Sequence, residues 1–195
     1  MDIIQIEDVI PMPYQDQVEA ETTSNSMAWF FHEESARSAS MFKTTFSGFS
    51  HMAYHIKEST PVMSPLSSIL LPILFMFCDK AKIKFNTLLR MRVGLFTRTM
   101  IEAVHHNPHV DFYEPHHTAV YYVNDSDGDT FVFNETYDDL DLQQSARHAA
   151  ENKFTIAGRA SPKKGKMVGF DGRHYHASMH PMKAASRIAV TFNFL

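Results

Sequence analysis

Apolar and polar positions alternate along residues 85–96, Phe-Asn-Thr-Leu-Leu-Arg-Met-Arg-Val-Gly-Leu-Phe. This two-residue period predicts a half-buried strand with Arg90 and Arg92 on one face. Shorter apolar runs at residues 117–123, 130–133, 154–157, 166–170 and 187–194 predict further strands. Residues 124–129, Asn-Asp-Ser-Asp-Gly-Asp, are a dense turn signal, so the strands on either side read as a hairpin. Ser161-Pro162-Lys163-Lys164-Gly165 marks another turn. In the first half, residues 2–10 predict a short strand closed by Pro11 and Pro13. Residues 14–23 predict a helix, 27–31 an aromatic strand, 33–40 a polar loop and 46–56 a strand of weaker pattern. Ser64 as N-cap and Pro65 at the first helical position start a helix running to Lys82, kinked or split at Pro72. Residues 138–152 read as a helix or a long polar excursion, with an acidic start that suits the helix dipole.

These elements predict a mainly β chain with flanking helices (α+β). The expected core is a double-stranded β-helix (jelly roll) over residues 85–195. Residues 1–84 would support it with helices and strands, and residues 1–195 would form one domain.

Composition narrows the function. Of 195 residues, 44% are hydrophobic and 21% charged, the balance of a globular chain. Eighteen basic against 22 acidic residues give a net charge of −4, which argues against nucleic-acid binding as the main task. The most apolar run, residues 66–78, is too short to span a bilayer and contains Pro72, so no membrane association is expected. Residues 1–10 lack the basic start of a secretory signal. The single cysteine, Cys78, excludes an internal disulfide framework and a CxxC metal site, reads as a small core hydrophobe, and fits a cytoplasmic location.

The 12 histidines are concentrated. His105, His106, His109, His116 and His117 share one window; His174, His176 and His180 share another. His109-Val110-Asp111 sets an imidazole and a carboxylate two residues apart, on one face if the segment is a strand. One more histidine completes two His and one carboxylate on one face of a metal. Three coordination positions then stay open, as suits non-haem iron(II). Arg187 heads the last strand, and a guanidinium fork grips a carboxylate through two hydrogen bonds.

The order of His109-x-Asp111, the strand 118–124, the strand 129–133, Pro162-x-x-Gly165, Phe170, His176 and Arg187 resembles the Fe(II)- and 2-oxoglutarate-dependent oxygenases. The likeness is to the prolyl 4-hydroxylase-like group, over about residues 85–195. The whole chain is also similar to compact members carried by phages and marine bacteria, which would place it in a host cytoplasm if phage-encoded. The resemblance implies that His109, Asp111 and His176 bind iron, with His174 or His180 as competitors for the third position. Arg187 would pair with the distal carboxylate of 2-oxoglutarate, Tyr122 would add a hydroxyl hydrogen bond, and Thr118 would line the same pocket. Arg90 or Arg92 would project into the barrel. The implied reaction uses O2 and 2-oxoglutarate to hydroxylate an unactivated C–H bond, releasing succinate and CO2. A prolyl residue in a protein or peptide is the expected substrate, and a free amino acid or small molecule the alternative. A non-catalytic binding barrel and a zinc hydrolase are the competing classes.

Two positions depart from the family pattern. Asp127-Gly128-Asp129 stands where a Gly-Gly turn is usual, and the interval from His176 to Arg187 is slightly long, with the extra length in residues 179–185. The other histidines are expected to face solvent or support the site. The acidic run 125–129 is expected to be a solvated turn rather than a calcium loop. Lys163, Lys164, Lys166 and Arg173 are expected to form a solvated basic rim. Specificity is expected from the loops 96–106 and 137–158.

Overall fold

The computed structural model describes residues 3–33, 47–56, 62–100 and 105–195. In chain order the elements are β1 (Ile4–Ile6), α1 (Met12–Thr23), β2 (Phe30–His32), β3 (Gly48–His55), β4 (Val62–Met63), α2 (Leu66–Ala81), β5 (Leu88–Thr97), β6 (His117–Tyr122) and β7 (Thr130–Thr136). They continue with α3 (Leu142–Ala150), β8 (Ile156–Ala160), β9 (Met167–Asp171), β10 (His174–Ser178) and β11 (Ser186–Phe194). Most of the expected polar loop at 33–40 lies outside the described residues, as do residues 101–104 of the loop 96–106.

Among the described residues the strands make two antiparallel sheets. The large one runs β1-β9-β6-β11-β5-β3-β2, with β4 on β3; the small one runs β10-β7-β8. This is the jelly roll expected from the strand pattern. The first half of the chain does more than buttress it: β1 pairs with β9, and β3 pairs with β5, completing the large sheet at both edges.

The alternation along the central strands separates two environments. Met91 and Val93 of β5, Ala119 and Tyr121 of β6, and Ile188, Val190 and Phe192 of β11 pack with Leu70, Ile73, Leu74 and Phe77 of α2 in the main core. The opposite parity faces the small sheet. Val120, Tyr122 and Ala189 meet Val132 and Ala160 there. Arg90, Arg92, Arg187, Thr191 and Asn193 share that inward parity, so the barrel interior is polar where an ordinary core would be aliphatic.

Three expectations are corrected. The strands on either side of residues 124–129 do not form a hairpin. β6 pairs with β9 and β11 in the large sheet, and β7 pairs with β10 and β8 in the small one. The turn instead carries the chain between the sheets. Ser64 does not cap α2: Pro65 holds the cap position with helical dihedrals, and the Ser64 hydroxyl bonds His51 Nε2 at 2.8 Å. The helix also runs through Pro72 as one element rather than being split there, its buried apolar face offsetting the hydrogen bond that proline removes. At residues 138–152 the helix prevails, started by a reciprocal capping box between Asp141 and Gln144. Strand β10 had no apolar signal of its own.

No helix among the described residues is long and apolar enough to cross a membrane. Lys163 pairs with Glu7, Lys164 with Asp16 and Glu19, and Arg173 with Asp171 and Asp138. The expected basic rim is therefore neutralised, and its lysines fasten β1 and α1 to the barrel.

Phe77 of the helix lies over Gly169 of β9, where a Cβ would come within 2.5 Å of the Phe77 ring. Replacing Phe77 by Ala leaves a void there, with an expected loss of about 3–5 kcal/mol. Urea unfolding measures it, and a loss below about 1 kcal/mol would contradict this packing.

Candidate metal and cosubstrate site

His109 and His176 lie on separate segments joined by one antiparallel bridge. His109 N–H donates to His176 O at 3.0 Å, and His176 N–H donates to His109 O at 2.9 Å. The bridge brings the two imidazoles side by side, with ring centroids 4.6 Å apart. Residues 109–111 are not a strand, as the His-x-Asp spacing had suggested. Only His109 is paired, Pro108 offers no N–H, and the chain bends at Asp111. The bend still turns the carboxylate inward: Asp111 Oδ1 lies 3.9 Å from His109 Nε2 and Oδ2 lies 3.7 Å from His176 Nε2. One donor atom from each of the three residues falls within 4.8 Å of the others.

Protonation suits a metal. His109 Nδ1 faces Asn107 O, and His176 Nδ1 faces His174 O, each at 3.2 Å. With the proton on Nδ1, both Nε2 lone pairs are left for an ion. Burial, reinforced by His109, pushes His176 down to about 4, and burial also lowers His109. Burial alone would raise Asp111; the Arg90 guanidinium and the two histidines outweigh it and hold the carboxyl well below its usual range. Two neutral imidazoles and a carboxylate are what a divalent cation needs.

The supporting contacts come from β5 and β11. Arg90 Nη2 is 2.5 Å from Asp111 Oδ1, and Arg90 Nε donates to Asn193 Oδ1 at 3.0 Å. Asn193 Nδ2 donates to Asp111 Oδ2 at 2.9 Å and to Thr118 Oγ1 at 3.0 Å. Thr118 also meets His116 Nε2 at 3.2 Å. Thr118 thus stands at the Asp111 end, in contact with a carboxylate partner. Asn193 escaped the sequence reading, although its even spacing from Arg187 on the last strand puts it on the same face.

A narrow cavity of about 70 Å³ leads from His109, Asp111 and His176 to Arg187. Arg187 is buried, donating from Nε to Gly128 O at 2.6 Å and from Nη2 to Thr130 Oγ1 at 2.8 Å. Tyr122 OH donates to the same Thr130 hydroxyl at 2.8 Å, and the guanidinium lies 5.6 Å from the Tyr122 ring centre. Arg187 has no ion pair among the described residues, since Asp129 is taken by Arg159. A buried guanidinium without a counter-anion is costly, and a ligand carboxylate would supply one. The donor set and the buried cation therefore fit iron(II) and 2-oxoglutarate, respectively.

The remaining histidines divide. His174 turns Nδ1 to Phe133 O at 2.8 Å and stays outside the three-residue cluster; a register shift between His174 and His176 breaks the parity they would otherwise share. His180 faces Thr97 O at 2.8 Å. His106 and His116 are buried rather than solvent-facing, with His116 supporting the site through Thr118; His180, the other competitor, is buried too and stays outside the cluster. Residues 125–129 are not a solvated turn either. Asp127 accepts backbone N–H groups of Met182, Lys183 and Ala184, while Gly128 O holds Arg187. A side chain at Gly128 would strike Met179 O. The unusual turn thus fastens the long segment before Arg187. On the other side of the cluster an open cleft of about 650 Å³ reaches solvent, lined by β3, β5, residues 108–114 and α3.

Asn193→Ala is expected to weaken iron(II) or zinc binding about 10–100-fold by freeing the Asp111 carboxylate. Competition against a chelator measures this; unchanged affinity would remove Asn193 from the site's support.

No protein-family model matches the chain, and no curated protein matches its sequence. Solved structures do match its fold. A 2OG-Fe(II) oxygenase family oxidoreductase from Burkholderia pseudomallei aligns over 98% of this chain and 84% of its own, with TM-score 0.63 and 10% identity. The non-heme alpha ketoglutarate dependent epimerase SnoN from nogalamycin biosynthesis aligns over 99% and 77%, with TM-score 0.65 and 13% identity. A Pseudomonas putida prolyl-4-hydroxylase aligns over 98% and 91%, with TM-score 0.52 and 13% identity. The chain has the jelly-roll fold of the iron(II)- and 2-oxoglutarate-dependent oxygenases.

Proposed function

We propose that this single domain is an iron(II)- and 2-oxoglutarate-dependent dioxygenase that hydroxylates an unactivated C–H bond. The observation that carries this is one cavity with the His109–Asp111–His176 cluster at one end and, at the other, the buried Arg187, which makes no ion pair among the described residues. Bound iron(II) and 2-oxoglutarate supply oxidation by O2, in which decarboxylation of the cosubstrate to succinate accompanies hydroxylation of the substrate. The protein supplies position and exclusion of water. His109, Asp111 and His176 would hold one side of the ion and leave the other open. Arg187 would take the distal carboxylate of 2-oxoglutarate, with the Tyr122 hydroxyl and Thr130 fixing the guanidinium plane. Asn193 and Arg90 keep the Asp111 carboxylate oriented. A zinc hydrolase would give Arg187 no task.

A prolyl residue of a protein or peptide is the substrate we favour. It is supported by the open cleft beside the cluster and by the Pseudomonas putida prolyl-4-hydroxylase among the similar structures. A free small molecule is the second reading, favoured by Arg92 in the same cleft, which makes no ion pair among the described residues. Action in a cytoplasm belongs to the same proposal, supported by the single, buried Cys78.

Anaerobic addition of iron(II) and then 2-oxoglutarate is expected to produce a visible metal-to-ligand charge-transfer band, absent in Asp111→Ala. Iron bound without the band would contradict the proposal. Arg187→Ala loses two charge-assisted hydrogen bonds and is expected to weaken 2-oxoglutarate about 100-fold while still binding metal. Unchanged cosubstrate affinity would exclude Arg187 from that role.

A further inference from the structure

Arg90 and Arg92 project from β5 onto the same face, yet their surroundings differ. Arg90 is fully engaged: Asp111 takes Nη2, Asn193 takes Nε, and the guanidinium lies 5.2 Å from the Phe112 ring centre. Arg92, two residues on, is half-buried and has no hydrogen bond or ion pair among the described residues. Its neighbours across the sheet are Thr191 on β11 and Met52 on β3, neither of which carries charge. A partly desolvated guanidinium beside a second one is unfavourable unless an anion joins them.

Arg92 lines both the narrow cavity and the open cleft, so it stands where the two meet beside the cluster. Within the cleft, His32 Nε2 and Ser50 Oγ form a polar pair at 2.7 Å, and Met52, Phe112 and Leu142 provide apolar contact. Burial, followed by Arg92, lowers the His32 pKa, so His32 faces the guanidinium as a neutral ring. The cleft's acids are Asp111, already paired, and exposed Glu114. With iron(II), Asp111, the 2-oxoglutarate dianion and Arg187 in balance, Arg90 and Arg92 against Glu114 leave one positive charge in excess.

Resting on the oxygenase function above, we propose that the substrate carries a carboxylate that Arg92 holds through paired hydrogen bonds in the open cleft. The guanidinium fixes the acid end, and the apolar side of the cleft takes the carbon skeleton whose C–H bond faces the metal ligands. The carboxylate belongs either to a free amino or organic acid or to an acidic residue or chain end of a peptide. Recognition through the guanidinium is the same for both.

The test uses the full chain loaded anaerobically with iron(II) and 2-oxoglutarate, with the charge-transfer band reporting loading and calorimetry reporting binding. One arm titrates free and N-acetylated L-amino acids, each beside its carboxamide. The other titrates amidated prolyl peptides with glutamate or glutamine next to proline. At least one acid is expected to bind about tenfold or more tightly than its amide counterpart. Arg92→Gln is expected to abolish that preference and Arg92→Lys to keep part of it. In both variants 2-oxoglutarate affinity stays within about twofold of the parent protein. The arm that shows the preference identifies the source of the carboxylate. No acid outbinding its amide in either arm overturns the proposal, as does a preference that survives Arg92→Gln. Loss of 2-oxoglutarate affinity in Arg92→Gln also overturns it, by making Arg92 a cosubstrate ligand. A parent protein that binds iron but shows no band defeats the oxygenase function itself, and the substrate proposal falls with it.

Discussion

The site depends on a reciprocal pair of backbone hydrogen bonds between His109 and His176. His109 leaves a poorly paired segment and His176 sits on the small sheet, far away in sequence. Their mutual bridge sets the two imidazoles side by side, and Arg90 and Asn193 hold the Asp111 carboxylate against them. Because these are main-chain bonds, the ligand spacing is fixed before any metal enters. The entropy of ordering the site falls largely on folding rather than on binding.

The bridge works because the large sheet has two unlike faces. One parity of β5, β6 and β11 is aliphatic and aromatic and seals against α2. The other carries Arg90, Arg92, Thr118, Arg187 and Asn193 into the barrel. Burial on the helix side supplies the hydrophobic stabilisation that lets so many polar groups be held inside. The interior is then organised by charge. Asp111 is matched by Arg90, Asp129 by Arg159, and Arg187 and Arg92 are left facing cavities. Neither of these two cations makes an ion pair among the described residues, and both proposals above rest on that.

Strand parity and the jelly-roll class were legible because alternation is a local signal; the His-x-Asp spacing singled out His109 and Asp111, while His176 came from the family resemblance rather than from any local pattern. Sheet membership was less so. The turn at 124–129 looks like a hairpin because Asn, Asp and Gly report a reversal without reporting which sheet receives the next strand. The capping of residues 182–184 by Asp127 joins positions distant in sequence, and no local pattern announces it. The two departures from the family pattern, a changed turn and a longer segment before Arg187, are one arrangement in space. Asn193 was hidden for another reason. A polar residue at a strand end reads as solvent-facing until the sheet curls it against Asp111.

A crystal structure of the protein grown anaerobically with iron(II) and 2-oxoglutarate, with iron located by anomalous scattering, tests the account most directly. The expected result is one iron bonded to His109 Nε2, Asp111 and His176 Nε2, with the distal carboxylate of 2-oxoglutarate on Arg187. Iron bound by His174 or His180 in place of His176, or 2-oxoglutarate seated away from Arg187, would contradict it.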